Sequence, residues 1–271
     1  MASRPARPRH IADPAGGRAD RAYPYWRQQR MRCIALILAA CAASANAADC
    51  GPDKLGTERT IILKREGAQY GAQQHTALPL KKGEVVLTFD DGPSAENTPL
   101  VLKALADQCA RATFFMLGQG LRKDPELARE TVREGHSAGI HSDTHPHMAA
   151  LTPAQQLDDL AQSRAAYKAT FGAETPAYRF PYLEETPTLL DALKRDNITV
   201  ASIDMGINDW IPEDTNEVLA GRLTASLDKT GGGIILMHDA NGPTAKAMPT
   251  LLKVLKDKGY KIVHLEWEAA K

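Results

Sequence analysis

Residues Val85–Pro93 read VVLTFDDGP, a run of β-forming residues that ends in two aspartates and a turn. The apolar part predicts a short buried strand, and Asp-Gly-Pro is typical of turns. Adjacent side chains at the end of a strand point in different directions, so Asp90 and Asp91 are predicted to diverge. One aspartate can then bind a metal ion while the other accepts a proton; a plain turn is the alternative interpretation.

The same kind of run recurs along the chain. From about Lys82 onward, short β-rich runs alternate with segments whose apolar residues recur at helical spacing. Such repeats imply a parallel sheet covered by helices, and their even spacing favours a closed barrel over an open doubly wound sheet. No G-x-G-x-x-G follows the first strand, which argues against a dinucleotide-binding fold. The predicted strands are Val85–Phe89, Ala112–Met116, Ser137–His141, Ala177–Phe180, Val200–Ile203, Gly233–Met237 and Lys261–Leu265.

Several helix boundaries are marked by capping residues and glycines. A Thr or Asp side chain before proline satisfies a free N–H of the first turn, and the proline ring presets the backbone for the helix. Glycine after an apolar segment is typical of a helix end. The predicted helix starts are Thr98-Pro99, Asp124-Pro125, Thr152-Pro153 and Thr186-Pro187, and the predicted ends lie at Gly135, Gly172 and Gly259.

Charge is distributed unevenly although 33 basic and 33 acidic side chains give a formal net charge of zero. The residues up to Ala47 contain eight Arg and two Asp and no other charged residue, a net charge of +6, which leaves −6 for the remainder. The basic stretch has no apolar periodicity, so the pattern excludes a folded nucleic-acid-binding module. A hydrophobic content of 43% allows a sizeable core and excludes intrinsic disorder for the body of the chain.

Residues 31–48 have the three parts of a secretory signal. Arg32 is positively charged, Cys33–Ala43 is an apolar run, and Ala45-Asn46-Ala47 is a small-residue cleavage site. The apolar run is too short to span a membrane, which takes about 20 residues. Translation from Met31 is an alternative to a start at residue 1. Leu38–Cys41 resembles a bacterial lipobox, so a lipid anchor on Cys41 is the alternative to soluble export.

Both interpretations export the protein to the periplasm or the medium. Cys50 and Cys109 then lie in an oxidising compartment, where a disulfide persists. Two unrelated thiols are the alternative.

Unusual polar residues cluster where the predicted strands end, which is where the chemistry of a βα barrel is located. His141 and His145 are spaced i, i+4 and share one face if the segment is helical. With Asp91 they would supply three ligands and leave a position open for water, as in a catalytic zinc site. A solvated histidine pair is the alternative interpretation.

Three further residues at strand ends fit proton transfer. Arg179 beside Asp90 would favour the ionised carboxylate that a base needs, whereas a surface salt bridge is the alternative. His238 ends an apolar run and is a second proton-transfer group, which amide cleavage needs because an amine leaves poorly unless it is protonated. Trp210, directly after Asp209, suggests a pocket wall, with a core position as the alternative.

The ordered motifs T-F-D-D-G-P, H-S-x-x-H, R-F-P-Y, D-W and L-M-H resemble those of the NodB-type polysaccharide deacetylases, carbohydrate esterase family 4, over about Val85 to Leu265. The resemblance implies a distorted, TIM-barrel-like (β/α)7 barrel. The chain departs from the family pattern at two positions: Ile140 stands where the family frequently has Asn, and Leu183 stands where it frequently has Gly. The implied roles are general base for Asp90, metal ligands for Asp91, His141 and His145, a partner of the base for Arg179, an oxyanion donor for the N–H of Tyr182, a catalytic acid for His238, its orienting carboxylate for Asp209, and walls of the acetyl pocket for Trp210 and Leu236.

The expected function is exported, metal-dependent removal of N-acetyl groups from a glycan that contains N-acetylglucosamine, chitin oligosaccharide or peptidoglycan, with release of acetate. One divalent ion is implied; Zn²⁺ suits the ligands, and Co²⁺, Ni²⁺ or Mn²⁺ fit them too. The expected partner is the acetylated glycan, with no nucleic acid and no membrane span. An O-acetyl esterase acting on xylan and a non-catalytic glycan-binding envelope protein are the alternatives.

The sequence predicts three regions. Residues 1–47 form an extension with the export signal, residues 48–81 a lead-in segment that packs along the barrel, with a short strand over Thr60–Lys64, and residues 82–271 the deacetylase domain.

Overall fold

The computed structural model describes residues 50–269. The predicted export signal, the alternative start at Met31 and the alternative lipidation site Cys41 lie outside the described residues. Within residues 50–269, no helix combines the length and the apolar character needed to cross a bilayer. The predicted boundaries at residues 47 and 81 stay predictions.

The strands of residues 50–269 form one sheet in which every pairing is parallel. All seven predicted strands are present, and the short strand expected in the lead-in segment is confirmed. Two further strands of two residues each carry no alternation that a sequence pattern could reveal. The strands are β1 (Arg59–Leu63), β2 (Gln69–Tyr70), β3 (Glu84–Asp90), β4 (Thr113–Met116), β5 (Ser137–Ile140), β6 (Ala177–Tyr178), β7 (Thr199–Ala201), β8 (Met205–Gly206), β9 (Gly233–His238) and β10 (Lys261–Trp267).

Helices follow most strands of the sheet. In chain order they are α1 (Thr98–Asp107), α2 (Gly118–Lys123), α3 (Pro125–Arg133), α4 (Pro153–Phe171), α5 (Pro187–Arg195), α6 (Asn216–Thr230) and α7 (Gly242–Asp257). Short 3₁₀ turns occupy Met148–Ala150 and Pro181–Leu183.

Three of the predicted helix starts are confirmed by side-chain caps. The side chains of Asp124, Thr152 and Thr186 each accept a hydrogen bond from a backbone N–H in the first turn of α3, α4 and α5. Glycines with positive φ end or follow α3, α4 and α7, as predicted from Gly135, Gly172 and Gly259.

The predicted cap at Thr98 is wrong. Asn97 precedes α1, and Thr98 is its first residue. The Thr98 hydroxyl donates instead to the buried carboxylate of Asp239 and accepts the N–H of Ser94. A buried carboxylate needs a donor, and this requirement outweighs the cap.

The prediction of a distorted (β/α)7 barrel is confirmed. Neighbouring strands follow the order β9, β3, β4, β5, β6, β7. β7 bonds to β6, and β8, which begins after three residues, bonds to β9. The ring is therefore closed between β7 and β8 by the chain itself rather than by a ladder of hydrogen bonds.

The last strand, β10, crosses the amino-terminal end of the barrel instead of completing the ring. It pairs with the start of β3 through Lys261 and Ile262. Further along, the Leu265 carbonyl accepts from Ser137 at the start of β5, and the Trp267 indole donates to Thr199 at the start of β7. This crossing closes the barrel at that end and is the main distortion.

The lead-in segment is part of the same sheet. β1 pairs with β10 along its length, and β2 pairs with β7. A disulfide joins Cys50 to Cys109, ahead of β4, with an S–S distance of 2.07 Å. Of the two interpretations of these cysteines, the disulfide is the one found.

The core lies on both sides of the ring. All seven residues of β3 are buried. Val85, Leu87 and Phe89 pack against the helices, whereas Val86 packs inside the barrel near β1 and β10. Burying one such side chain contributes about 1.5–3 kcal/mol. The period of two therefore directs Val86, Thr88 and Asp90 inward, from the closed end towards the open mouth.

Candidate active site

The mouth of the barrel carries the predicted site residues because two neighbouring strands end there in register. Asp90 of β3 lies directly opposite His238 of β9. Two residues earlier on each strand, the inward-facing Thr88 of β3 and Leu236 of β9 are paired in the same way. Strand alternation thus delivers a carboxylate and an imidazole to one rim.

Asp91 reaches the same rim through an unusual backbone conformation. Its φ is +76°, in the left-handed region that non-glycine residues rarely adopt. The side chain is therefore turned back towards the mouth. Asp91 Oδ1 lies 3.7 Å from His141 Nε2 and 3.5 Å from His145 Nε2, and the three atoms fall within 4.8 Å of one another.

This group has the properties of a site for a divalent cation. The ring nitrogen Nδ1 of His141 lies 2.8 Å from the Arg179 carbonyl, which only accepts, so Nδ1 carries the proton and Nε2 presents its lone pair. Burial lowers the pKa of His141 to about 3, which keeps the ring neutral. Asp91 Oδ1 is buried without a hydrogen-bond partner. Two imidazoles and an unpartnered carboxylate oxygen fit a zinc-type ligand set.

The i, i+4 spacing of His141 and His145 suggested that they share one face of a helix, but the segment is not helical. Residues 141–147 form a loop in which Ser142 and His145 have positive φ values of 69° and 62°. The N–H of His145 donates to Ser142 Oγ at 3.0 Å. The imidazoles lie 5.0 Å apart, between ring centroids, because this turn brings them together.

An ion pair behind the loop holds it in place. The carboxylate of Asp143 accepts two hydrogen bonds from Arg122, at 2.7 and 2.8 Å, and its backbone N–H donates to Asp159 at 3.0 Å. The carboxylate is buried and the Arg122 side chain is half exposed.

Arg179 is the buried partner of Asp90, so the alternative of a surface salt bridge is wrong. Its guanidinium is fully buried and donates to Asp90 Oδ1 at 2.8 Å and to Thr88 Oγ1 at 2.7 Å. It also donates to the carbonyls of Ala201 and Ser202. Burial raises the pKa of Asp90, and the charge of Arg179 opposes that rise. Asp90 is thus an ion-paired carboxylate with increased basicity.

His238 and Asp209 form a second pair. Asp209 is fully buried; its Oδ1 lies 2.8 Å from His238 Nδ1, and its Oδ2 accepts from the His238 backbone N–H and from Thr244. Burial alone lowers the pKa of His238, but the hydrogen bond to Asp209 and the charges of Asp209, Asp90 and Asp91 outweigh it and raise the pKa to about 9. His238 therefore carries a proton at neutral pH and presents Nε2 to the mouth.

Tyr182 lies in the strained turn Pro181–Leu183. Tyr182 and Leu183 have positive φ values of 55° and 57°. The half-exposed Tyr182 ring stacks on His147 at 3.9 Å and meets His145 edge-on at 4.5 Å. The role of its backbone N–H as an oxyanion donor stays a prediction.

Most predicted site residues line one cavity of about 690 Å³. Trp210 is half exposed at its edge and approaches His238 at 6.0 Å, so a core position for Trp210 is wrong. Arg179 and Asp209 lie behind the cavity and hydrogen-bond to Asp90 and His238. The lining comprises the predicted Asp90, Asp91, His141, His145, Tyr182, Trp210, Leu236 and His238, together with Gln73, Phe180, Leu183, Ile203, Gly206, Asn208 and Asn241.

Sequence reasoning missed Asp239, which lies beneath the Asp91 turn. It is fully buried against Gly92, where an added Cβ would come within 2.2 Å of its carboxylate. Burial, and to a smaller extent the charges of Asp91 and Asp90, raise its pKa to about 7. Only its place directly after His238 signals it in the sequence.

Residues 77–201 match the sequence pattern of a family described as polysaccharide deacetylase. A peptidoglycan-N-acetylglucosamine deacetylase of Bacillus cereus is 30% identical over 195 residues, which are 69% of this chain and 68% of that protein. The chain belongs to the polysaccharide deacetylase family. This family member is also 31% identical to the Listeria monocytogenes peptidoglycan-N-acetylglucosamine deacetylase PgdA over 186 residues. The matched region is 67% of this chain but only 38% of the Listeria protein.

A solved structure shares the fold of this family member. The Bdellovibrio bacteriovorus peptidoglycan deacetylase Bd3279 superposes with a TM-score of 0.70 at 31% identity. The match covers 79% of this chain and 59% of that one.

Proposed function

We propose that this chain is an exported, metal-dependent deacetylase that hydrolyses N-acetyl groups of an N-acetylglucosamine-containing glycan and releases acetate. The observation that carries the proposal is the convergence on one cavity of an Asp-His-His group, a buried basic carboxylate and a protonated imidazole. Family membership supports the same reaction class, since the relatives above are named deacetylases.

Asp91, His141 and His145 would hold the divalent ion, and Zn²⁺ suits two imidazoles and one carboxylate. A divalent ion bound there would lower the pKa of water and polarise the acetyl carbonyl.

Asp90 and Arg179 supply the base. Asp90 Oδ2 lies 3.7 Å from His141 Nε2, beside the candidate ligands, and the other oxygen is held by Arg179. Asp90 accepts a proton from the attacking water, whose oxygen bonds to the carbonyl carbon. The raised pKa of Asp90 makes it a stronger base than an exposed aspartate.

His238 supplies the acid. As the carbon–nitrogen bond breaks, its Nε2 gives a proton to the departing sugar amine, and acetate is left. Asp209 orients the ring and keeps it charged. The N–H of Tyr182 stabilises the oxyanion in this proposal; losing one donor of that kind typically costs about 3–4 kcal/mol.

The substrate is proposed to be peptidoglycan or chitin oligosaccharide, because two relatives are named peptidoglycan-N-acetylglucosamine deacetylases and another is named a chitooligosaccharide deacetylase. Export is proposed from the signal pattern at residues 31–48 and is supported by the disulfide, which persists in oxidising compartments.

Acetate release from chito-oligosaccharides, peptidoglycan fragments and acetylated xylan, with metal content measured on the same sample, tests the proposal. We expect release from an N-acetylated glycan, loss of activity with a chelator and recovery on adding Zn²⁺. Metal-loaded protein that is inactive on every glycan would overturn it and leave the non-catalytic glycan-binding alternative. Activity on xylan alone would establish the O-acetyl esterase.

A matched pair of histidine variants tests the ligand assignment. His145→Gln should lose bound Zn²⁺, whereas His147→Gln should retain it, because His147 bonds to Glu184 and is not part of the three-residue group. Equal zinc content in the two variants contradicts the assignment.

A further inference from the structure

The lead-in segment fills the gap in the ring between β7 and β8. β2 pairs with β7, and the N–H of Gln73 donates to the Ile203 carbonyl at 3.1 Å. At Gly71, whose φ is +116°, an added Cβ would lie 2.5 Å from the Ile203 backbone nitrogen. Residues Gln69–His75 are therefore fixed closely against the barrel wall by backbone contacts.

Gln73 is one of the residues that line the cavity containing the candidate metal ligands. Its position is across the rim from them: Asp90 and Asp91 follow β3, and β7 is separated from β3 by β4–β6 on one side and by β8 and β9 on the other. A ligand that spans the mouth from Asp91 to the opposite rim would therefore reach Gln73.

The adjacent Gln74 differs from Gln73 in that its side chain is hydrogen-bonded to the protein at both ends. Its amide donates to the Leu183 carbonyl at 2.9 Å, and its oxygen accepts from Ser202 Oγ at 2.5 Å. Both glutamines are exposed, but the Gln73 amide has one long contact, 3.5 Å to the Asp204 carbonyl. Structural bonding thus occupies both ends of the Gln74 carboxamide. The Gln73 carboxamide keeps most of its hydrogen-bonding capacity for a ligand in the cavity that this residue lines.

We propose that Gln73 determines specificity by hydrogen-bonding the sugar next to the one that is deacetylated, so that this chain selects an oligosaccharide over a monosaccharide. The inference rests on the proposed function. A carboxamide both donates and accepts, which matches the hydroxyl and acetamido groups of an adjoining sugar. Gln73 lies in the lead-in segment, ahead of residues 77–201, where the family pattern matches.

Steady-state kinetics of the zinc-loaded chain test the proposal with tetra-N-acetylchitotetraose and with a small acetate ester as reference. Gln73→Ala should raise KM for the tetrasaccharide about five- to tenfold, the effect of losing one or two neutral hydrogen bonds, with kcat changed less than about twofold. The ratio of kcat/KM between tetrasaccharide and ester should fall by the same factor. An unchanged KM, or equal losses on both substrates, overturns the proposal.

Gln74→Ala is the matched control. It should lower Tm and kcat, because Gln74 holds the turn Pro181–Leu183 that contains Tyr182. This result would differ from an effect on KM alone.

If the wild-type chain releases no acetate from any glycan, the proposed function fails, and binding decides the role of Gln73 separately. Calorimetric titration of the tetrasaccharide into both proteins should then show about five- to tenfold weaker binding to Gln73→Ala. Equal binding to both, or none to the wild type, overturns the inference.

Discussion

The imidazole of His238 and its backbone N–H are both held by one carboxylate, that of Asp209. Because this pairing raises the pKa of His238 to about 9, the ring is a proton donor at neutral pH. A proton donor matters most when the leaving group is a poor one.

His238→Asn should therefore lower kcat for N-acetyl substrates by about 10²–10⁴-fold. The loss on an O-acetyl ester should be much smaller, since an alcohol leaves more easily than an amine. Parallel acetate-release assays on the two substrate types measure this difference. Equal losses would remove His238 from the role of acid.

Asp209→Asn should shift the alkaline limb of the pH–rate profile to lower pH. The variant removes the charged hydrogen-bond partner while burial, which lowers the pKa of His238, persists. The acid must be protonated to act, so activity is lost above its pKa, near pH 9 in the wild type. Profiles of kcat/KM against pH measure the shift, with Tm recorded as a check on folding. A limb that does not move contradicts the assignment.

At this scale the sequence predicted which side chains converge but not how they do so. Positive φ is uncommon among non-glycine residues, even though Asp adopts it more often than most, and the sequence did not predict it at Asp91. Similarly, proximity to Arg179 suggested an ionised Asp90, whereas burial, which depends on the whole fold, raises its pKa.

Among the secondary-structure elements, α4 has the most complete start. Thr152 accepts from the Gln155 N–H, and the Gln155 side chain accepts from the Thr152 N–H, which is a capping box. Thr152→Ala should lower the free energy of unfolding by about 1 kcal/mol. Urea denaturation followed by circular dichroism measures the change. A stability equal to that of the wild type would show that the exposed first turn of α4 contributes nothing.

Thr98 and Thr152 have the same local sequence pattern and different roles. Thr152 precedes an exposed helix start, where solvent offers no strong competitor for its hydroxyl. Thr98 faces the buried carboxylate of Asp239, a partner 141 residues away that no local window contains. The local sequence therefore predicted where both helices begin, but the role of Thr98 depends on a buried residue that is distant in sequence.

For the whole molecule, alternation of strands and helices sufficed to predict a parallel barrel. It did not predict that β10 crosses the closed end. The pattern of β10 is that of any buried strand, and its partners at the starts of β3, β5 and β7 are set by the tertiary structure.

That closed end should make the stability of the chain sensitive to acid. Burial lowers the pKa of His136 to about 3 and that of His264 to about 4, against about 6.5 in an unfolded chain. Below pH 6.5 the unfolded state binds protons that the folded state does not, so the free energy of unfolding falls as pH falls towards 4. Each histidine contributes at most about 1.4 kcal/mol per pH unit.

Urea denaturation of the metal-free chain at several pH values between 7.5 and 4.5 measures this slope. His136→Gln, which keeps an acceptor for the Ala112 N–H, should show a shallower decline than the wild type. An identical slope would assign the acid sensitivity to other groups.

The crossing of β10 also determines how the chain can be immobilised. Trp267 and the Cys50–Cys109 bridge both lie at the end of the barrel that β10 covers. Coupling the protein to a solid support through either end of residues 50–269 therefore points the mouth of the barrel away from the support. An insoluble polymer that is too large to diffuse could then be brought to this mouth while the protein stays attached to the support.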